Sequence, residues 1–169
     1  MRPLLPLILL LVAAAPIPAG REYLGRHGRW VAFRDGAAAR CFAIAEPLSN
    51  RHDRGVRPFA SFALWRGSGR GVGLDVRLSR APRAGSPVTL RVGERRFALV
   101  ADATDAWGRS VREDARIVAA VRRATRMEVA AVDARGRRFA DAYALAGAPS
   151  AIDAAIVGCL ETWGSRDVR

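Results

Sequence analysis

Arg40-Cys41-Phe42-Ala43-Ile44-Ala45, read together with Ile152-Asp153-Ala154-Ala155-Ile156-Val157-Gly158-Cys159-Leu160, decides the fold. In a strand, side chains alternate between faces, so Phe42 and Ile44 point one way and Cys41, Ala43 and Ala45 the other. Neither face is polar. The strand is therefore expected to be covered on both sides, with a closely packed neighbour on its alanine face. The second segment carries Ile152, Ala155, Ile156, Cys159, Leu160 and Trp163 at helical spacing, a full apolar stripe. Ser150 opens this helix, expected over about 151–161, and Asp153 suits its first turn. Ala155 permits close approach, and the small face of the strand offers the matching groove, so the helix is expected to dock there.

Outward from this pair, Trp30 to Asp35 forms a hairpin with the Cys41 strand across Asp35-Gly36. Residues 21–29 read as a polar lead and 47–58 as an irregular loop. Phe59 to Trp65 is a further strand, followed by a glycine-punctuated turn. Leu74, Val76 and Leu78 alternate with Asp75, Arg77 and Ser79, a half-buried pattern. Val88-Leu90-Val92 and Phe97-Leu99-Ala101 make a second hairpin, and strands around Met127–Ala131 and Phe139–Leu145 flank the turn at 133–138. Ser110-Val111-Arg112-Glu113 is a capping box that starts an amphipathic helix over about 111–125, with Val111, Ala115, Val118 and Val121 as its apolar side. Seven or eight short strands with two helices predict a mainly β fold, an antiparallel β-sandwich in one domain over 20–169.

The first nineteen residues have a different character. Arg2 is a minimal positive start, Leu4 to Ala15 is an apolar run, and small residues surround Ala19, which together predict a secretory signal peptide over 1–19. The run is too short to span a bilayer, and no later segment approaches that length, so the mature chain is expected to be non-transmembrane and periplasmic or extracellular. Export removes nucleic acid from the expected partners. It also places Cys41 and Cys159 in an oxidising compartment, where a disulfide between them is expected.

All 28 cationic residues are arginine, against 16 carboxylates, a formal net charge of +12. Lysine is absent, which excludes lysine-base and Schiff-base chemistry. The arginines are dispersed, with Arg95-Arg96, Arg122-Arg123 and Arg137-Arg138 as adjacent pairs. Arg66, Arg70, Arg95, Arg96, Arg137 and Arg138 are the candidate anion-binding residues, because each lies at or beside a hairpin turn; Arg66 to Gly71 also offers free amides of a glycine-rich turn. Convergence of these six on one face would favour a binding module for an anionic envelope polymer. Scatter would make the charge a matter of composition.

Catalytic chemistry finds little support. The imidazoles are His27 and His52; His52-Asp53 adjoins Ser49 in a loop, and no nucleophile elbow is present. Neither histidine has a partner at ligand spacing, so no metal and no cofactor are expected. Nothing singles out a carboxylate pair for glycoside hydrolysis. Of the tryptophans, Trp107, in a polar stretch, is the one expected to be exposed enough to bind.

Trp30-Val31-Ala32-Phe33 followed by Cys41, with Tyr143-Ala144-Leu145-Ala146-Gly147-Ala148, Ala151-Ile152-Asp153-Ala154-Ala155 and Cys159, resembles the invasion-associated locus B family of exported bacterial proteins. The chain departs from that family in having no central cysteine pair and no lysine-rich surface. The resemblance implies an exported β-sandwich with no catalytic residues to carry over. The expected function is that of a non-enzymatic periplasmic or envelope protein acting through its surface on envelope components or another protein.

Overall fold

The computed structural model describes residues 20–49, 51–69 and 71–164, with side chains through Glu161. Residues 1–19, expected to be a signal peptide, together with Arg70 and the side chain of Trp163, therefore lie outside the described residues. Ten strands form one antiparallel sheet: β1 (Arg21–His27), β2 (Trp30–Asp35), β3 (Arg40–Ala45), β4 (Phe59–Trp65), β5 (Gly73–Arg77), β6 (Val88–Val92), β7 (Arg95–Asp102), β8 (Asp105–Gly108), β9 (Arg126–Val132) and β10 (Arg138–Ala144). Their order across the sheet is β1-β2-β3-β4-β5-β8-β7-β6-β9-β10. Helices α1 (Val111–Val121) and α2 (Ala148–Gly164) complete the chain.

The expected sandwich of seven or eight strands is thus corrected to a single ten-stranded sheet curled into a half-barrel. Two strands escape the sequence pattern. β1 is a charged edge strand interrupted by a bulge between Tyr23 and Gly25, and β8 is only four residues long. The cover expected on both faces of β3 is present over Phe42, but no second sheet supplies it. Phe42 is 4% exposed, yet its cover is the guanidinium groups of Arg21 and Arg40, 5.5 and 4.9 Å from its ring centroid, and the Phe33 ring at 5.6 Å. Long arginine stems shield apolar surface while keeping their charge in water, so a fully apolar strand needs no second sheet.

The curl brings the two ends of the sheet together. Trp30 Nε1 donates to the Ala144 carbonyl at 2.8 Å, and the Leu48 amide donates to the Ala142 carbonyl at 2.7 Å, so the loop after β3 reaches across to the edge strand β10. A covered edge cannot template pairing with another chain. Gly147, at φ +88°, lies against the His27 carbonyl, and any Cβ there would overlap it. That close approach locks the β1–β2 turn to the start of α2.

Both helices sit on the inner face, where α2 packs on β1 to β4 and α1 on β5 to β8. The core between them includes Trp30, Phe62, Leu90, Tyr143, Ile117 and Ile152, all essentially inaccessible. Beside it, Ala32, Cys41, Ala155 and Cys159 form a second cluster with Leu24 and Leu64 packed on it. The expected disulfide joins Cys41 to Cys159, with Cα atoms 5.7 Å apart. α2 docks as its small residues dictate, although it begins at Ala148, earlier than Ser150, and Leu160 is 58% exposed.

α1 starts where the capping box places it: Ser110 Oγ accepts from the Glu113 amide at 3.2 Å. Glu113 reaches back to the Arg109 amide at 3.1 Å, one residue before the serine. The helix ends at Val121, short of 125, and its buried side is Asp114, Ile117, Ala120 and Val121, with Val111 exposed. The buried side is rotated from the expected Val111-Ala115-Val118-Val121 stripe, and it includes Asp114, which accepts from the Leu74 amide at 3.2 Å. No helix among the described residues is long and apolar enough to cross a membrane.

Candidate binding surface

With both helices on the inner face, the outer face carries the side chains of the alternate positions. The strand registers order them in rows. One row crosses seven strands: Arg26, Val31, Ile44, Ser61, Asp75, Trp107 and Val100. The next contains Tyr23, Phe33, Phe42, Ala63 and Gly73, and beyond it lie Arg21, Asp35, Arg40 and Trp65. Tyr23 packs edge-on against Phe33 at 6.0 Å, which continues to Phe42. The aromatic row of Tyr23, Phe33 and Phe42 is thus bordered by an ionic one. Asp35 accepts from Arg21 Nε at 3.2 Å and from the Ala38 amide at 3.0 Å, and these bonds hold its carboxyl below the ordinary aspartate range, the amide bond foremost.

A hollow of about 470 Å³ opens on this face above Val31, Phe33, Ile44 and Phe59, rimmed by Arg26, Arg29 and Arg57 with Glu46 among them. Its floor is apolar and its rim mostly cationic. A second hollow, of about 370 Å³, lies at the β4–β5 turn between Trp65 and Trp107, with Asp75, Asp114 and Ser68 in its wall. Trp107 is 38% and Trp65 36% exposed. Trp107, the aromatic expected to be exposed from its polar stretch, lies on β8. Burial pushes the Asp75 carboxyl up, reinforced by the charge of Asp105 and opposed by Arg77 and Arg40.

The candidate arginines divide between sites. Arg96 and Arg138 line a third, shallow hollow together with Arg91 and Glu128. Arg95 stands at the β6–β7 turn, at the end of the sheet where Val92 pairs with Arg95 and Met127. Arg137 stands at the opposite end, in the β9–β10 turn, where its Nε donates to Asp133 at 3.0 Å. Asp133 also accepts the Arg135 and Arg137 amides at 2.9 Å, and the Arg137 amide is the main reason its carboxyl lies below the ordinary range. Arg66 follows β4, and β5 and β8 separate that strand from β7. At about 4.8 Å per strand this is on the order of 14 Å. The described members of the set therefore occupy four places, with Arg96 and Arg138 lining one broad hollow from different ends.

His52 is exposed, its Nδ1 lying 3.1 Å from the Asp53 carbonyl, and His27 pairs with Trp30 at the end of β1. Both cysteines are engaged in the disulfide. Among the described residues no group of three or more His, Cys, Asp or Glu side chains comes together as a metal site. On the inner face, Asp141 is 3% exposed and accepts the Ser79 amide at 2.8 Å, while burial pushes its carboxyl up. Burial, then the charge of Asp141, raises the Tyr143 hydroxyl, which is buried without a hydrogen-bond partner among the described residues. No protein-family model, curated protein or solved structure matches the chain.

Proposed function

We propose that this chain is an exported bacterial envelope protein of the invasion-associated locus B type, non-enzymatic, acting through the outer face of its sheet on an envelope component or another protein. The observation that carries this reading is the outer face of β1 to β4. It presents an apolar floor with an arginine rim, and both described helices lie on the other side. Such a surface suits a partner with apolar groups beside negative charge. The disulfide supports the exported setting, since a bridge of this kind persists where thiols are oxidised.

The test is binding of the purified protein to washed envelope membranes from a Gram-negative bacterium, compared with a Phe33→Asp variant whose fold is checked by circular dichroism. Wild-type protein is expected to be retained and the variant to be lost. Equal retention, or recovery of the endogenous protein from the cytoplasm with residues 1–19 attached, overturns the reading.

A second reading, a binding module for an anionic envelope polymer, is favoured by the broad hollow that Arg91, Arg96 and Arg138 line. It is tested by a salt titration of binding to an anionic polysaccharide. Contacts through these arginines weaken steeply as ionic strength rises, and an Arg96→Ser/Arg138→Ser variant flattens that dependence. A variant with the unaltered salt slope removes the reading.

A further inference from the structure

The hollow between Trp65 and Trp107 has a feature that no other partly buried acid in the described chain shares. Asp35, Asp105, Asp133, Asp153, Glu22 and Glu128 each meet an arginine, and Asp141 accepts a backbone amide. Asp75 is half-buried and has neither an ion pair nor a hydrogen bond among the described residues, in a chain of net charge +12. Among the described residues, the cations nearest Asp75 have other partners. Arg77 donates to Asp105 at 2.8 Å and 3.2 Å, and Arg40 lies over Phe42 with a contact to Asp35 at 3.9 Å. A carboxylate partly removed from water and left uncompensated costs free energy unless a cation reaches it.

The walls supply the rest. Trp107 is directly opposite Asp75 in the register of β5 and β8. The Trp65 ring extends over Gly73, where an added Cβ would lie 3.6 Å from it and 3.4 Å from the Asp114 carboxylate. The absence of a side chain at Gly73 keeps the space between the rings open. Indole faces carry negative electrostatic potential, and they attract cations more strongly than any other side-chain ring. The described polar lining carries two carboxylates, Asp75 and Asp114, of which Asp114 already accepts the Leu74 amide, and the Ser68 hydroxyl, which donates to the Trp65 carbonyl. The described wall is thus negative in charge, which suits a cation between the ring faces.

The geometry points to a binding site for a small organic cation, an alkyl or quaternary ammonium group seated between Trp65 and Trp107 with its charge on Asp75. The cavity of about 370 Å³ matches a small molecule. This site is independent of the exported, surface-acting reading and stands or falls on its own ligand.

The experiment titrates the folded protein with choline, with 3,3-dimethyl-1-butanol as its uncharged isostere, and with N-acetylglucosamine, by calorimetry and tryptophan fluorescence. Saturable choline binding is expected, with the neutral isostere at least about tenfold weaker, because the ring faces and carboxylate act on the charge. Asp75→Asn is expected to lower choline affinity by a similar factor. Trp107→Ala is expected to abolish the response and Trp107→Phe to retain most of it, each variant being checked for an unchanged unfolding curve. Equal binding of the alcohol, tighter binding of the sugar, or no saturable choline binding by wild-type protein overturns the proposal.

Discussion

Replacing both Cys41 and Cys159 by alanine removes a cross-link whose ends are 118 residues apart in sequence. In the chain-entropy model, closing a loop of this length withholds about 16 cal/mol/K from the unfolded ensemble, about 5 kcal/mol near room temperature. Residual structure in the unfolded chain lowers the figure, so a loss of about 3–5 kcal/mol is expected. Small domains have total stabilities of about 5–15 kcal/mol, which makes this a large fraction. The cross-link also ties α2 to β3 within a cluster of small buried residues, Ala32, Ala155 and the two cysteines, on which Leu24 and Leu64 pack. The assay is guanidinium unfolding of oxidised wild type, reduced wild type and the double variant, followed by tryptophan fluorescence. Reduced wild type and the variant should agree, and both should show a steeper denaturant dependence, because the uncross-linked chain exposes more surface when unfolded. A difference below about 1 kcal/mol between oxidised and reduced protein would refute the entropy argument. So would a response of the double variant to reductant.

Three further outcomes follow from the packing and the buried acids. The Asp141 carboxyl is raised in the folded state, so the protein binds more protons folded than unfolded just above the ordinary aspartate value of 3.8, and this group's contribution to stability declines as pH rises through that window. Asp141→Asn should therefore gain stability relative to wild type as pH increases from 3.8 toward neutrality, with no gain below it; urea midpoints measured across pH check the sign. Ser110→Ala removes the hydroxyl that accepts the Glu113 amide and should cost about 1 kcal/mol in urea unfolding, while a change within error would show that cap to be unimportant. Phe62 is 1% exposed with its ring centroid 5.7 Å from that of Trp30; Phe62→Ala should cost about 3–5 kcal/mol, and a loss under about 1 kcal/mol would mean the inner face is not the core.

Local periodicity made eight of the ten strands and both helices legible, because alternation and the three-to-four spacing are properties of the chain itself. The bridge between Cys41 and Cys159 was expected too, on the oxidising compartment that a signal peptide would imply, and the structure holds it. β1 was not, since a charged edge strand has no apolar alternation to display. The inward turn of Asp114 was hidden because its partner, the Leu74 amide, is 40 residues away. Phe42 shows the limit most directly: the sequence reports an apolar side chain, and only the register of Arg21 and Arg40 reveals that arginines cover it.

The candidate sites divide in the same way. Trp107 was recognisable as an exposed aromatic from its polar neighbours, and the arginines at turns were recognisable as potential contacts. That Trp65, Trp107 and Asp75 face one hollow, and that Arg96 and Arg138 line another from different ends while Arg66, Arg95 and Arg137 stand apart, follows from strand order. The chain by itself determined the elements and their apolar faces, because these depend on neighbours a few residues apart. The tertiary structure alone decided that one curled sheet would form and which side chains would share its outer surface, because strand β8 inserts between β5 and β7 and so brings residues distant in sequence into one row.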